Sequence, residues 1–234
     1  MPLQLLGISR SADIRQQQPR QQPRRPCSAR CPIRGCAWLI HGPLAAAVSV
    51  GQLTPLEHAA LLAEIHRHAD VLPMRFGGAL PDEQAVCDLL RRRHDAILAE
   101  LDRLSGTGEI GLRIELCPSP HEPAPVVCVG PPMPGDSPEQ YLAARRALYR
   151  RQDQAHRHAQ LAAERCMRAV EGFYRDWRRL SPEPPGTLRL ALLVERTLFR
   201  TLLDRLATFK AETTGWQSTI LGPWPPYSFV QGSG

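Results

Sequence analysis

The sequence predicts an α+β protein of two domains, and three observations lead to that expectation. Short apolar runs, several of them alternating at period two, are interspersed with longer runs of helical period. Clusters of proline and glycine fall between these runs and punctuate them. The 234 residues hold 43% hydrophobic and 22% charged side chains, an ordinary balance for a globular chain of one large or two small domains.

LQLLGI, from Leu3 to Ile8, opens the chain as a short strand. Residues 11–34 follow as a disordered insertion, because QQQPRQQPRRP (Gln16 to Pro26) is of low complexity and lacks apolar residues. CAWLIHGPLAAAVSVGQL, Cys36 to Leu53, gives two strands about the turn His41-Gly42-Pro43. Thr54 then caps a helix, with Pro55 at its first position and Glu57 completing a capping box. Its inward residues are Leu61, Leu62, Ile65 and Ala69. VLPMRFGGAL, Val71 to Leu80, is extended, since Pro73 breaks a helix and Gly77-Gly78 permits a close turn. A single helix is expected from Asp82 to Leu104, with Val86, Leu90, Ile97, Leu101 and Leu104 on one stripe and Gly106 ending it.

EIGLRIEL, Glu109 to Leu116, alternates as a strand and runs into a proline-rich loop, Cys117 to Asp136. Ser137-Pro138-Glu139-Gln140 repeats the capping-box logic and starts a helical region expected to reach Leu180. Cys166, Val170, Phe173, Trp177 and Leu180 would form its buried face. Beyond Pro182, Pro184 and Pro185 come a strand (Leu188 to Glu195), a helix (Thr197 to Lys210) and a last strand, WQSTIL, Trp216 to Leu221. Strand, long helix, strand, helix, strand is split β-α-β material, so the C-terminal domain is expected to be a modified ferredoxin-like fold with an extended helical region. A boundary near Ser105 to Gly108 separates an N-terminal α+β domain, 1–107, from the C-terminal domain, 108–234.

A net charge of +6 and a pI of about 9.2 invite a nucleic-acid reading. The distribution argues otherwise, because residues 1–34 hold seven arginines against one acid, Asp13, which is the entire excess. No apolar run approaches the roughly 20 residues that cross a bilayer. The N-terminus lacks the basic region and apolar core of an export signal, so a cytoplasmic location is expected. Seven cysteines are an odd number and argue against a disulfide framework. Cys27, Cys31 and Cys36 are spaced C-x3-C-x4-C, which does not match a zinc knuckle. Cys87 and Cys166 sit at helical positions and serve as small apolar residues.

The chemistry-bearing residues form no catalytic constellation. HRH occurs at 66–68 and 156–158, but residues i and i+2 of a helix point about 200° apart and cannot share a metal. Asp82 and Glu83, like Asp136 and Glu139, sit at helix starts, where the dipole alone favours carboxylates. HExxH, GxSxG, Walker A and GxGxxG patterns do not occur. The chain is therefore not expected to be an enzyme, and no catalytic, cofactor or metal site is assigned.

Two stretches are left unabsorbed, VLPMRFG at 71–77 and GPWPPYSF at 222–229. With Leu5 to Ile8, Gly42 to Ser49, Gly106 to Glu109 and Tyr141 to Arg145, they follow the order of motifs in the gas vesicle protein L/F family (GvpL/GvpF), which the chain resembles over its length. The resemblance rests on Leu72, Pro73, Arg75, Phe76, Gly77, Glu109 and Tyr141, and on Gly222, Pro223, Trp224, Pro225, Pro226, Tyr227 and Phe229. Ser11 to Arg34 departs from the family pattern.

The resemblance implies a role in building gas vesicles, the protein-walled compartments that give cells buoyancy. Their shell subunit is very hydrophobic, and exposed apolar surface associates readily. The expectation is an accessory protein, associated with gas vesicles in the cytoplasm, that binds the shell subunit and assists assembly. Other gas vesicle accessory proteins are further partners, with no specific nucleic acid and no membrane insertion. The alternatives are a minor structural component of the wall, or an RNA- or membrane-binding module using Arg10 to Arg34. Within VLPMRFG, Arg75 either faces solvent or pairs with an acid such as Glu109. The terminal aromatics Trp224, Tyr227 and Phe229 are expected to clamp the C-terminal core.

Overall fold

The computed structural model describes residues 2–17, 28–30, 35–116, 138–181, 187–212 and 216–231. They form two compact units, Met1–Glu109 with Pro223–Gly234, and Ile110–Gly222. Mixed helix and sheet make the protein α+β, with one sheet in each unit.

The first unit runs β1 (Leu3–Arg10), α1 (Ser11–Gln17), β2 (Ser28–Arg30), β3 (Ala37–His41), β4 (Leu44–Val50), α2 (Pro55–His68) and β5 (Val71–Pro73). It continues through β6 (Ala79–Leu80), α3 (Glu83–Arg92) and α4 (His94–Arg103) into β7 (Thr107–Leu116). Its sheet has the order β2-β3-β4-β1-β5, with β6 also on β1. Both faces of this sheet are covered. Leu6, Trp38, Ala45, Ala47 and Val71 face α2, whose Leu62 and Ile65 complete that core. Ile8, Ala46 and Leu72 are register partners on the opposite face, where α3 and α4 pack. Gly7 allows the close approach between β1, β5 and α2, since a Cβ there would lie 2.5 Å from Val71 Cγ2 and 2.9 Å from Leu62 Cδ2.

The capping box of α2 forms as expected: Glu57 N donates to Thr54 Oγ1 at 3.3 Å, and Thr54 N donates to the Glu57 carboxylate at 2.7 Å. Two expectations for this unit need correction. The helix expected over 82–104 is divided at Arg93, whose φ of −107° and ψ of 16° leave the helical range. Val86, Leu90, Ile97 and Leu101 keep helical spacing across the break, so the pattern carries no trace of it. Nothing in the residue types explains it. The segment 11–34 is also not wholly without structure. Ser11–Gln17 is helical because Ile14 anchors it in the core, and Ser28–Arg30 pairs with β3 through Ala29 and Trp38. The rest of that segment lies outside the described residues.

The second unit takes β7 onward through α5 (Pro138–Ala169), β8 (Asp176–Arg179), β9 (Thr187–Glu195), α6 (Phe199–Glu212) and β10 (Trp216–Trp224). Its sheet has the order β10-β7-β9-β8. The core joins Ile110 and Ile114 of β7, Leu190 and Leu192 of β9, Cys166 of α5 with Val170 just beyond its end, and Leu202 and Leu206 of α6. The helical region does not reach Leu180. It stops at Ala169, and Gly172 turns the chain at φ +83°, a conformation a Cβ would strain. Trp177 consequently lies in β8 opposite Leu192 and is 48% exposed. The expected loop 117–136 and the cap at Ser137 fall outside the described residues. At the other end β10 runs past Leu221 to Trp224 and is followed by a 3-10 turn, Tyr227–Phe229.

Candidate functional site

The motif at 71–77 begins as buried strand and ends as exposed turn. Leu72 and Pro73 lie in β5, and Met74 N donates to Leu6 O at 2.9 Å. Arg75, Phe76 and Gly77 then leave the sheet, with Gly77 at φ +90°. The chain returns when Leu5 N donates to Gly78 O at 3.1 Å. Phe76 is 47% exposed, and its ring meets His58 edge-on at 5.6 Å. His58 is buried in α2. Burial holds its imidazole below the usual histidine range, against the opposing effect of a hydrogen bond with the Leu5 backbone.

The terminal motif is latched by three charged residues. Pro225 and Pro226 are buried, and Phe229 is fully enclosed. Glu109, itself buried, accepts from Ser228 N at 2.7 Å and from Ser228 Oγ at 2.8 Å. Arg103 donates to Phe229 O at 2.5 Å and to the two Glu100 oxygens at 3.2 and 2.7 Å. Glu100 in turn accepts from Gln231 N at 3.3 Å. Burial, then the neighbouring Glu109 charge, pushes the Tyr227 hydroxyl up to about 12. These latching groups all precede Ile110, so the tail clamps the first unit and not the C-terminal core. The reason is hydrogen-bond satisfaction: the tail's polar groups need acceptors and donors, and Glu109, Glu100 and Arg103 supply them. Glu109 is thus engaged by Ser228 while Arg75 is exposed to solvent.

The motif at 71–77 and the two residues that follow the terminal motif line one apolar cleft of about 300 Å³ inside the first unit. Ile8 and Leu72 supply strand residues, Met74 follows β5, Leu89 and Ile97 come from α3 and α4, and Val230 from the residue after Phe229. Arg93, Glu100 and Gln231 are its polar members. Such a cleft suits apolar side chains. The other motif residues lie elsewhere. Gly222 and Pro223 are exposed within β10, and Trp224 at its end is 43% exposed. Tyr141 lies on α5, where its hydroxyl and that of Tyr149 accept from Arg145 at 3.5 and 3.2 Å.

Sequence reasoning missed Arg103, Glu100 and Ser228, and it missed Asp70, which accepts from Ser105 Oγ and Gly106 N, both at 2.9 Å. The one signal for Ser228 was a hydroxyl set between two aromatic residues, which requires a partner when buried. Among the described residues, no group of three or more His, Cys, Asp or Glu is placed to hold a metal ion, and no helix is long and apolar enough to cross a membrane.

Comparison with known proteins gives concordant matches. A family model described as gas vesicle synthesis protein GvpL/GvpF matches residues 15–231. Gas vesicle protein L of Streptomyces sp. (strain CB03234) is 27% identical over 180 residues, covering 74% of this chain and 67% of that protein. The crystal structure of the gas vesicle protein GvpF from Anabaena sp. PCC7120 superposes with a TM-score of 0.66 at 13% identity, covering 98% of each chain. That of GvpF from Microcystis aeruginosa gives 0.64 at 13% identity, covering 98% of this chain and 99% of that one. At these identities the two structures establish the shared fold.

Proposed function

Since the chain belongs to the gas vesicle synthesis protein GvpL/GvpF family and thereby has a role in gas vesicle formation, we propose that it is an accessory protein that binds the hydrophobic shell subunit and assists its assembly. The observation behind this reading is the apolar cleft lined by Leu72 and Met74 of one specific motif and by Val230, the residue that follows the other. An apolar groove with a few polar members is how folded proteins receive an amphipathic segment of a client. Covering that segment would keep a subunit with exposed apolar surface from associating prematurely.

The chain acts without catalysis, in the cytoplasm, and in association with gas vesicles and their other accessory proteins. Its second unit, with elements in the order β7-α5-β8-β9-α6-β10 and the sheet β10-β7-β9-β8, fits the ferredoxin-like reading, modified by the long α5. Met74→Glu and Leu89→Glu place charge in the cleft at half-buried positions. Co-precipitation of purified shell subunit should be lost in both variants, with circular dichroism unchanged. Deletion of the gene should reduce vesicle number or alter vesicle shape; intact vesicles after deletion would sink the proposal.

A further inference from the structure

Helix α5 is longer than the core that it serves. It has 32 residues, about 48 Å at 1.5 Å per residue, whereas β9 beneath it has 9, about 30 Å. The burial pattern marks the excess. Ala159, Ala162, Ala163 and Cys166 are buried, but no residue from Tyr141 to His158 is. The stripe itself does not stop there. Tyr141, Leu148 and Ala155 recur at intervals of seven in line with the buried Ala162, and all three are half-buried. An apolar seam thus continues past the sheet that covers its C-terminal half.

Charge flanks this seam asymmetrically. Arg145 and Arg151 lie about 60° to either side of it at 100° per residue. From Tyr141 to His158 there are five arginines, Arg145, Arg146, Arg150, Arg151 and Arg157, against one acid, Asp153. Arg145 is exposed yet oriented, held by the hydroxyls of Tyr141 and Tyr149 and lying 5.6 Å over the Tyr149 ring. Burial in the core accounts for none of these side chains.

We propose that the face of α5 around Tyr141, Leu148 and Ala155 docks a partner helix whose apolar stripe is flanked by glutamate or aspartate. Charge complementarity selects this occupant. A parallel or antiparallel helix would insert its apolar residues along the seam and place carboxylates against Arg145 and Arg151, as the positions flanking a coiled-coil seam do. A second copy of the same face would set arginine against arginine. Nucleic acid would engage the arginines but leave Leu148 and Ala155 without a role. The inference is independent of the cleft in the first unit.

The test uses the full chain and a synthetic helical peptide of about three heptads, leucine on the seam and glutamate on its flanks, with a lysine-flanked counterpart. By fluorescence anisotropy the glutamate peptide should bind saturably, the lysine peptide should not, and added salt should weaken binding. Arg145→Glu with Arg151→Glu should weaken it at least about tenfold, as should Leu148→Asp, with the melting temperature of the exposed double reversal unchanged. Failure of the glutamate peptide to bind, or equal binding of both peptides, overturns the proposal. So does binding that appears only when residues 118–136 are deleted, which would make the occupant a segment of the chain itself. A dimer in solution that Leu148→Asp dissociates would assign the face to self-association. Loss of single-stranded RNA or phosphatidylserine-vesicle binding on the double reversal, with peptide binding intact, would assign it to phosphates.

Discussion

Glu109 shows how much of the candidate site turns on single residues. Its carboxylate is buried and satisfies both donors of Ser228. Glu109→Ala removes both acceptors at once and should destabilise the protein by about 3 kcal/mol, whereas Ser228→Ala removes one hydroxyl bond and should cost about 1 kcal/mol. Urea midpoints would separate the two, and equal losses would count against the latch. Tyr227 gives a pH signature at the same place. Its hydroxyl titrates near 10 when unfolded and at about 12 when folded, so the folded state holds the proton longer. Its contribution is therefore complete below about pH 10 and is lost as pH rises toward about 12. Urea midpoints measured across that window should fall less steeply in Tyr227→Phe than in the parent; parallel slopes would rule the effect out. The partners of both residues were not legible in the sequence. Ser228 and Glu109 are 119 positions apart, and the residue types in VLPMRFG left Arg75 either facing solvent or paired with an acid such as Glu109.

Elements were legible where their signals are local. The capping box of α2 lies within four consecutive residues, and the alternation of Glu109 to Leu116 within eight, so residue types alone placed both. The breaks were harder. The α3–α4 division leaves the apolar spacing intact, and Trp177 falls in phase with Cys166 and Val170 although Gly172 has already ended the helix. Periodicity reports which residues share a face and is silent on whether the backbone between them stays helical. Close approach between elements is equally hidden, and Gly7 is its clearest case. Gly7→Ala should cost about 1–3 kcal/mol through overpacking against Val71, Leu62 and the Leu72 carbonyl. A variant that melts with the parent would show that β1 and β5 can move apart freely.

At the scale of the molecule, the chain visits its first unit twice, at the beginning and again after Gly222. Phe229 is the buried anchor of that return. Phe229→Ala should destabilise the first unit by about 3–5 kcal/mol. Hydrogen exchange should quicken in β1 and α4 and stay unchanged in β9; faster exchange in β9 alone would contradict the division into units. Periodicity, caps and motif strings are properties of neighbouring residues, so the α+β class, the apolar faces of the elements and the family could be read from the residue order. Folding in three dimensions was needed to bring the tail onto Glu109 and Arg103, to set Leu72 and Val230 in one cleft, and to leave the seam of α5 longer than its sheet. Those outcomes depend on which distant segments meet, and long-range pairing is selected by the packing and hydrogen-bond satisfaction of the whole unit, which no local pattern encodes.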